Sequence, residues 1–322
     1  MTQPNAVYPG NSKPRGRGAT IALAALLPVS LLAGPGYGPW TMNMPVPDTN
    51  NSVAGGCPIE SRDGKTFFTA RRVPDATADL DIWINTRDSA GTAFGPAQAL
   101  PVPVNTEAND FCPTPLGGGF LLFVSDRANG CGGGDIYITR LNPDGSWREP
   151  MNLGCAVDGG PNGSGAEFSP GIVEADGGTY LYYSSDQGGN QDIFVSELAQ
   201  DGHFGPGAPV PGLNTDADDR MPTLTKDGLE IVFSSNRSSW SGGDVMTGSE
   251  GQPADQDVYY SARSSLDSAW SDPVNLSVTV PLSTEALQET RASFSWDRTR
   301  VNYGAAGEIH YIERRKLRGG RR

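Results

Sequence analysis

The sequence contains little of what most catalytic sites require. Only two of its 322 residues are histidine, His203 and His310, so a Ser-His-Asp or Cys-His arrangement has almost no parts. A nucleophile elbow (Gly-x-Ser-x-Gly), a phosphate-binding loop (Gly-x-x-x-x-Gly-Lys) and a zinc-binding His-Glu-x-x-His segment are all missing. The sequence therefore predicts no cofactor, with Ca²⁺ as the one exception considered below, and we expect both histidines to be structural.

Positive charge is scarce in the body of the chain. The formal net charge is −13, and residues 35–312 alone carry 15 basic against 36 acidic side chains. Such a surface opposes binding to nucleic acid or to an anionic membrane. We therefore expect residues 35–312 to bind a cationic partner or none. The basic residues 313–322 are predicted to form a disordered, solvated tail, which either touches anionic wall polymers or folds back on the acidic body.

Long apolar runs are limited to the N-terminus. Residues 19–33 form an apolar stretch behind a basic segment, which is typical of an export signal and is short for a membrane span. Residues 1–34 are therefore predicted to be a signal peptide, with an uncleaved anchor or a disordered start as alternatives. Four cysteines after this segment fit an oxidising compartment, so we expect an extracellular, periplasmic or envelope-associated protein. We also expect a monomer that has no transmembrane span once the signal is removed.

Long helices are also nearly excluded, because the chain contains 42 glycines and 26 prolines. In their place a pattern recurs five times, at spacings of about 51–65 residues. Each copy contains the pattern Asp-Ile-aromatic or a close variant. The pattern begins at Asp81, Asp135, Asp192, Asp257 and Glu308.

Each copy also predicts four short antiparallel strands, which we label A to D. An Asp-Gly or similar turn separates strands A and B, strand C carries the Asp-Ile-aromatic pattern, and an aromatic-to-Pro segment follows as strand D. The last copy lacks strand D, and residues 37–47 resemble the missing segment. The predicted fold is therefore all-β: a five-bladed β-propeller over residues 35–312, closed by an N-terminal strand that completes the last blade.

These patterns resemble a known family. Ser125-Asp126-Arg127, the glycine loop behind it and Asp-Ile-Tyr are similar to the TolB-type, WD-like β-propeller repeat. The Trp-x-x-Pro and Asn-Thr elements resemble the variant found beside OmpA-like domains of bacterial envelope proteins. The resemblance implies an envelope-associated interaction platform and says little about the ligand.

Four acids recur at the start of strand A. Because strands alternate in direction, the B–C loops and the D-to-A connections emerge on one face, which we call the mouth face, and these acids should lie there near the axis. Clustered carboxylates would bind Ca²⁺ or another cation. Alternatively, each acid hydrogen-bonds backbone amides within its own blade, as periodic residues of a repeat usually do. The acids are Asp110, Glu167, Asp219 and Glu289, with Gly55 at the equivalent position of the first copy.

One loop on the mouth face departs from the repeat. The B–C loop of copy four runs from Arg237 to Gln256, and a loop of this length is more often functional than structural. Trp240, Asp244 and Glu250 are its candidate ligand-binding residues, since an aromatic ring beside acids can stack on a sugar or hold a cationic group. Alternatively, Trp240 only pins the loop to its blade.

The cysteines also fall toward the mouth face. Cys57 and Cys112 directly precede the strand-A proline of neighbouring blades, while Cys131 and Cys155 lie in a B–C loop and the D-to-A connection after it. We predict the disulfides Cys57–Cys112 and Cys131–Cys155, one of three possible pairings. A zinc site is the alternative, which the wide spacing disfavours.

The leading functional hypothesis is a secreted or cell-envelope propeller that binds a protein or glycan partner through the mouth face. The alternative is a carbohydrate-active enzyme, a glycoside hydrolase or lyase, in which Asp110, Glu167, Asp219 and Glu289 supply the catalytic acid and base. The periodicity of these acids speaks against it, because a catalytic constellation should differ from blade to blade. A purely structural role, with the basic tail as a wall anchor, is a third reading.

Overall fold

The computed structural model confirms the predicted all-β propeller. It describes residues 36–41, 44–46, 55–72, 80–90, 92–175, 177–237, 256–276, 289–305 and 308–317, so the predicted signal peptide lies outside the described residues. Five four-stranded antiparallel sheets follow one another along the chain, and each is one blade. No helix among the described residues is long and apolar enough to cross a membrane.

The strands follow the repeat blade by blade. Blades 1 and 2 contain β2 (Gly55–Glu60), β3 (Thr66–Arg72), β4 (Leu80–Thr86), β5 (Gln98–Ala99), β6 (Asp110–Pro115), β7 (Phe120–Ser125), β8 (Asp135–Arg140) and β9 (Met151–Asn152). Blades 3 and 4 contain β10 (Glu167–Ala175), β11 (Gly178–Ser185), β12 (Asp192–Glu197), β13 (Ala208–Pro209), β14 (Asp219–Leu224), β15 (Glu230–Ser235), β16 (Asp257–Ala262) and β17 (Val274–Asn275). Blade 5 contains β18 (Glu289–Phe294), β19 (Arg300–Ala305), β20 (Glu308–Glu313) and β1 (Met44–Pro45). Short 3-10 turns lie at Gly117–Gly119 and Ala156–Asp158.

The N-terminal segment closes the ring as predicted. Strand β1 is the outermost strand of blade 5, where Met44 lies opposite Tyr311 in β20. Further toward the N-terminus, Trp40 is buried in the apolar core between blades 4 and 5. The first and last segments of the propeller therefore share one sheet, which protects the edge of β20 that would otherwise be open.

The apolar core lies between the blades. Each blade packs on a neighbour at both faces, so the B strands are apolar almost throughout, as in Phe120–Ser125, instead of alternating with polar residues. The core between blades 1 and 2 is typical: Ile82 of strand C packs with Leu121 and Phe123 of the next blade. Equivalent clusters fill the other interfaces, so each blade depends on both of its neighbours.

The Asp-Ile-aromatic pattern serves this packing. In blade 2 the ring of Tyr137 stacks on Phe123 of strand B, with centroids 6.0 Å apart. Blades 3 and 4 repeat this pair, and in blade 5 His310 takes the aromatic position and stacks on Tyr303 at 5.9 Å. His310 is thus a packing residue, which confirms the structural role expected for it.

The innermost strands bend where they face the axis. The A strands of successive blades contact one another around the ring, and each has a register shift, or bulge, in its middle. A left-handed residue occupies this bulge in every blade, although L-residues with side chains seldom adopt a positive φ. Its recurrence marks it as part of the blade design. These residues are Cys57, Cys112, Ser169, Met221 and Arg291, with φ between 36° and 57°.

The predicted basic tail begins later than expected. Residue Glu313 ends β20, and the Arg314 side chain is only 2% exposed. Its guanidinium binds the buried carboxylate of Glu230 at 2.8 Å and lies 4.4 Å from the ring of Trp40. Arg314 therefore belongs to the folded body, because its guanidinium binds a buried carboxylate and packs on aromatic rings. Residues 318–322 lie outside the described residues.

Candidate functional site

The mouth face carries an open groove at blade 2. The D-to-A connection that enters blade 2 forms one side, and the turn after β7 and the glycine loop before β8 form the other. The volume of the groove is about 780 Å³, and its lining is mostly polar. It is lined by Thr106, Glu107, Ala108, Asn109, Asp126, Arg127, Ala128, Gly132 and Gly133.

An asparagine fixes the D-to-A connections that enter blades 2, 3 and 4 to the preceding blade. The side-chain amide of Asn105 accepts a hydrogen bond from the Ile82 backbone N–H (2.9 Å) and donates one to the Ile82 carbonyl (3.0 Å). Asn162 and Asn214 bind the equivalent isoleucines, Ile136 and Ile193, in the same way. The Asn-Thr element of the sequence is therefore a blade-to-blade connector that positions the groove wall.

The acid of blade 2 is held inside its own blade. Asp110 is fully buried, and its Oδ2 accepts hydrogen bonds from the Thr106 backbone N–H (2.7 Å) and hydroxyl (2.8 Å). Its Oδ1 accepts from the Arg127 guanidinium at 2.7 Å. Arg127 in turn lies 5.0 Å from the ring of Tyr137, so the ion pair rests on the aromatic stack.

The acid of blade 4 repeats this arrangement. The Asp219 carboxylate accepts from the Thr215 backbone N–H (2.6 Å), from Ser235 Oγ (2.5 Å) and from the Arg237 guanidinium. The alternative in which these acids bind backbone amides of their own blade is thus confirmed for Asp110 and Asp219. The arginine partners were not predicted, although Ser-x-Arg and Asn-Thr recur together in copies two and four and could have indicated them.

The acid of blade 3 has different surroundings. Glu167 is also fully buried, but Gln187 stands where blades 2 and 4 have arginine, and Gly163 stands where they have threonine. Its Oε1 accepts a hydrogen bond from Ser185 Oγ at 2.8 Å, whereas Oε2 has no hydrogen-bond partner. Burial raises the pKa of Glu167 to about 7, against the smaller lowering effect of its hydrogen bonds from Ser185 and Gly163. Glu167 is therefore protonated below about pH 7 and loses its proton around neutral pH.

The structure does not bring the predicted acids together as a metal site. Among the described residues, no group of three or more His, Cys, Asp and Glu side chains is placed to hold a metal ion. Asp110 and Asp219 already bind arginine, and the side chain of Glu289 lies outside the described residues. Ca²⁺ at these four acids stays a prediction that none of the described contacts supports.

The loop of copy four also remains a prediction. Trp240, Asp244 and Glu250 lie outside the described residues, so their role in ligand binding is not tested by the structure. Arg237, at the start of the loop, is described and turns inward to Asp219.

One of the two predicted disulfides is formed. Cys131 and Cys155 are bonded, which ties the glycine loop beside the groove to the connection that enters blade 3. The predicted Cys57–Cys112 bond is wrong for this structure, because both thiols are free and buried. Equivalent positions in adjacent blades do bring the two side chains into hydrogen-bond contact, but not into a covalent bond.

The floor of the groove is a fixed amide–carboxylate pair. The Asn109 backbone N–H and side-chain amide donate to the two oxygens of Asp126 at 2.8 and 2.6 Å. On the opposite side the Gly133 N–H donates to the Gly165 carbonyl (2.7 Å), so the loop is also held from blade 3. The exposed carboxylates of Glu107 and Asp126 can accept hydrogen bonds from hydroxyl groups of a ligand.

Comparison with known proteins extends only to the fold. No family model matches the chain, and no curated protein matches its sequence. Among solved structures, a thermostable family-43 glycoside hydrolase is similar at 15% identity over 87% of this chain and 95% of its own, with a TM-score of 0.55. The catalytic domain of the Coprinopsis cinerea GH62 α-L-arabinofuranosidase is similar at 12% identity over 87% of this chain and 98% of its own, with a TM-score of 0.53.

A TolB protein from Agrobacterium tumefaciens also matches, at 15% identity over 80% of this chain and 73% of its own, with a TM-score of 0.43. At these identities the likeness shows the propeller fold alone. The specific TolB-type variant expected from the sequence has no support from a family model.

Proposed function

We propose that the protein is a carbohydrate-active propeller that binds a polysaccharide chain in the groove of blade 2. The observation that carries the proposal is the groove itself: an open, polar cleft in which the Asn109 amide and the Asp126 carboxylate hold each other in place, and whose glycine loop is tied to blade 3 by the Cys131–Cys155 disulfide. Sugar hydroxyls are donors and acceptors that such groups satisfy, and rigid partners reduce the entropy lost on binding.

The similar structures direct the choice of ligand class. Two of them are named as a family-43 glycoside hydrolase and an α-L-arabinofuranosidase, and a third is a Podospora anserina α-L-arabinofuranosidase in complex with cellotriose. These names favour carbohydrate over protein as the partner, and they favour the carbohydrate-active alternative over a pure interaction module. The likeness is one of fold, so the ligand must be tested on this chain.

Binding should depend on the groove. We expect arabino-oligosaccharides or cellotriose to bind the full chain in isothermal titration calorimetry, and Ala128→Trp, which fills the exposed wall of the groove, to weaken binding about tenfold or more. Glu107→Ala should weaken it less, since it removes one exposed carboxylate. Ala199→Trp is the matched control, because Ala199 is equally exposed but lies in a turn of the opposite face. Equal affinity of Ala128→Trp and Ala199→Trp would contradict the proposal.

Hydrolysis of the bound chain is the second candidate function. The observation that favours it is Glu167, which lies behind the glycine loop of the groove: its backbone N–H donates to the Gly134 carbonyl at 2.8 Å, and burial raises its pKa to about 7, in the range of a general acid. The carboxyl group is fully buried and does not line the groove, so the loop must open before a bound chain can reach it. Asp186, half-buried, is a described candidate for the second carboxylate: it accepts a hydrogen bond from the Ala166 backbone N–H at 2.7 Å, next to Glu167 in the chain, and it interacts electrostatically with Glu167. Asp110 and Asp219 suit this role poorly, because each is buried against an arginine.

The hydrolytic candidate is tested by release of reducing sugar from arabinan, xylan and cellulose. Glu167→Gln should abolish turnover while leaving calorimetric binding in the groove intact. Two results would contradict the hydrolytic candidate: activity that survives in Glu167→Gln, or no turnover of any substrate by the folded wild type. Binding would then be the function.

Export is a further part of the proposal. A disulfide joins two loops of the mouth face, and such bonds persist mainly in oxidising compartments. Together with the predicted signal at residues 1–34, this supports a secreted or envelope-associated protein. The acidic body of the chain gives no support for a nucleic-acid partner.

A further inference from the structure

The centre of the propeller holds two thiols and a guanidinium at equivalent positions. Cys57, Cys112 and Arg291 are the bulge residues of blades 1, 2 and 5, and each lies on an innermost strand. Cys57 and Cys112 pack together in one buried cluster, and Ser169 of blade 3 donates its Oγ–H to Cys112 Sγ at 3.4 Å. Neighbouring blades thus assemble one polar cluster on the axis.

Arg291 crosses this centre as a buried cation. Its side chain is 1% exposed, and its Nη2 reaches Thr114 Oγ1 of blade 2 at 2.8 Å. Its Nε and Nη1 have no hydrogen-bond partner, and none of the ion pairs found among the described residues includes it. A buried guanidinium without an anion is costly, so a negative charge is expected within reach.

Cys112 is the group that can supply this charge. Burial opposes ionisation of its thiol, but the hydrogen bond from Cys57, the charge of Arg291 and the hydrogen bond from Ser169 lower its pKa to about 6. The pKa of Cys57 is raised, first by its hydrogen bond to Cys112 and then by burial, so the pair loses one proton well before the second. Arg220 of blade 4 is a second cation that faces both cysteines.

We propose that Cys57 and Cys112 form a redox-active dithiol at the centre of the propeller, with Cys112 as the thiolate, Arg291 as its counter-ion and a small peroxide as the oxidant. The Cys112 side chain is fully buried and Cys57 is 8% exposed, so a bulky disulfide such as oxidised glutathione is too large to reach the thiolate. Hydrogen peroxide is small enough. This site is separate from the groove and does not rest on the proposed function.

The chemistry balances within the pair. The Cys112 thiolate attacks one oxygen of hydrogen peroxide, the O–O bond breaks, and hydroxide leaves from a Cys112 sulfenic acid. The Cys57 sulfur then attacks the sulfenic sulfur, an S–S bond forms, and the Cys57 proton leaves with the displaced hydroxyl as water. Two thiol sulfurs are oxidised to a disulfide, and one peroxide is reduced to water and hydroxide.

The thiolate is tested by titration of its ultraviolet absorbance in the mildly reduced full chain. We expect one thiolate to ionise with a midpoint near pH 6, and this step to be missing in Cys112→Ser. In Arg291→Met the midpoint should rise by about one pH unit or more, whereas Arg291→Lys, which keeps the charge, should change it less. Absence of thiolate absorbance below about pH 8 in the wild type would overturn the proposal. This measurement is made on the wild type, so it does not depend on whether a variant folds.

The oxidation is tested by non-reducing peptide mapping after one equivalent of hydrogen peroxide. We expect a peptide pair linked through Cys57 and Cys112, reversible with dithiothreitol, and formed at least about twofold more slowly in Arg291→Met near pH 7, because a midpoint raised by one pH unit leaves only about half of Cys112 as thiolate. In Cys57→Ser, Cys112 should stop at the sulfenic acid. Free Cys57 and Cys112 after this treatment, or linkage at an unchanged rate in Arg291→Met, would overturn the proposal.

Discussion

Three acids at equivalent positions of strand A meet two kinds of surroundings. Asp110 and Asp219 are buried beside arginine, and threonine completes their hydrogen bonds. Glu167 is buried to the same degree without a cation, so its pKa is raised to about 7 and it titrates near neutral pH. The difference comes from two substitutions in the third copy, Gln187 for arginine and Gly163 for threonine. A periodic acid can therefore be structural in two blades and chemically distinct in a third.

The raised pKa of Glu167 predicts a pH-dependent stability. The folded protein binds this proton more tightly than the unfolded chain, so the stabilisation is complete below about pH 4.5 and is lost as pH rises through about 7. Between these values we expect the free energy of unfolding of the wild type to fall by up to about 3 kcal/mol relative to Glu167→Gln, measured by urea unfolding. Parallel pH profiles of the two proteins would contradict the prediction.

A second substitution tests the cause of that shift. Gln187→Arg places a guanidinium where Arg127 and Arg237 stand in blades 2 and 4, and it should lower the pKa of Glu167 because the charge favours the carboxylate. The pH dependence of unfolding should then shrink. Gln187→Met is the matched control, since it changes the same exposed position without adding charge, and its pH profile should follow that of the wild type.

At the scale of elements, the loops of the mouth face are held from both sides. The glycine loop before β8 is tied to blade 3 by the Cys131–Cys155 disulfide, and Asp135 accepts the Cys131 N–H at 2.5 Å and the Gly132 N–H at 3.2 Å. Asp135 is the first residue of an Asp-Ile-aromatic pattern. Its carboxylate caps this loop, while the next two residues, Ile136 and Tyr137, pack in the core. Rigid strands thus position a loop that lines the groove.

Loss of this disulfide should cost stability and loosen the groove. The bond joins two cysteines that are 24 residues apart and so restricts the unfolded chain. The entropy that the unfolded chain loses in this way corresponds to about 3 kcal/mol of stability. We expect Cys131→Ala/Cys155→Ala to reduce the free energy of unfolding by this order and to weaken carbohydrate binding as well. Reduction of the wild type with dithiothreitol should reproduce both effects. A double variant as stable as the wild type would show that the loop is held by Asp135 and the blade contacts alone.

At the scale of the whole molecule, closure depends on two chain ends in one blade. Strand β1 pairs with β20, and the Gly38 N–H donates to the Arg315 carbonyl at 2.8 Å. Arg314 then binds Glu230 of blade 4, so the end of the last strand also locks the neighbouring blade. Because each core lies between two blades, an open ring would expose apolar surface at both sides of the gap.

Deletion of residues 1–46 should therefore open the propeller. We expect this variant to lose the cooperative thermal transition of the full chain and to aggregate in size-exclusion chromatography, because the edge of β20 and the core around Trp40 become exposed. Deletion of residues 1–34, the predicted signal, is the control and should leave the melting temperature unchanged. A truncated chain that melts like the control would show that β1 is not needed for closure.

The sequence by itself determined the architecture: five copies, four strands in each, and an N-terminal strand in the last blade. These features repeat along the chain or follow from neighbouring positions, so turns and apolar periods reveal them. Only the tertiary structure decided which acids are neutralised, because the pairs Asp110–Arg127 and Asp219–Arg237 form across a folded loop. It also decided that Arg291 lies beside Cys57 and Cys112, since residues more than 170 positions apart meet only when the ring is closed.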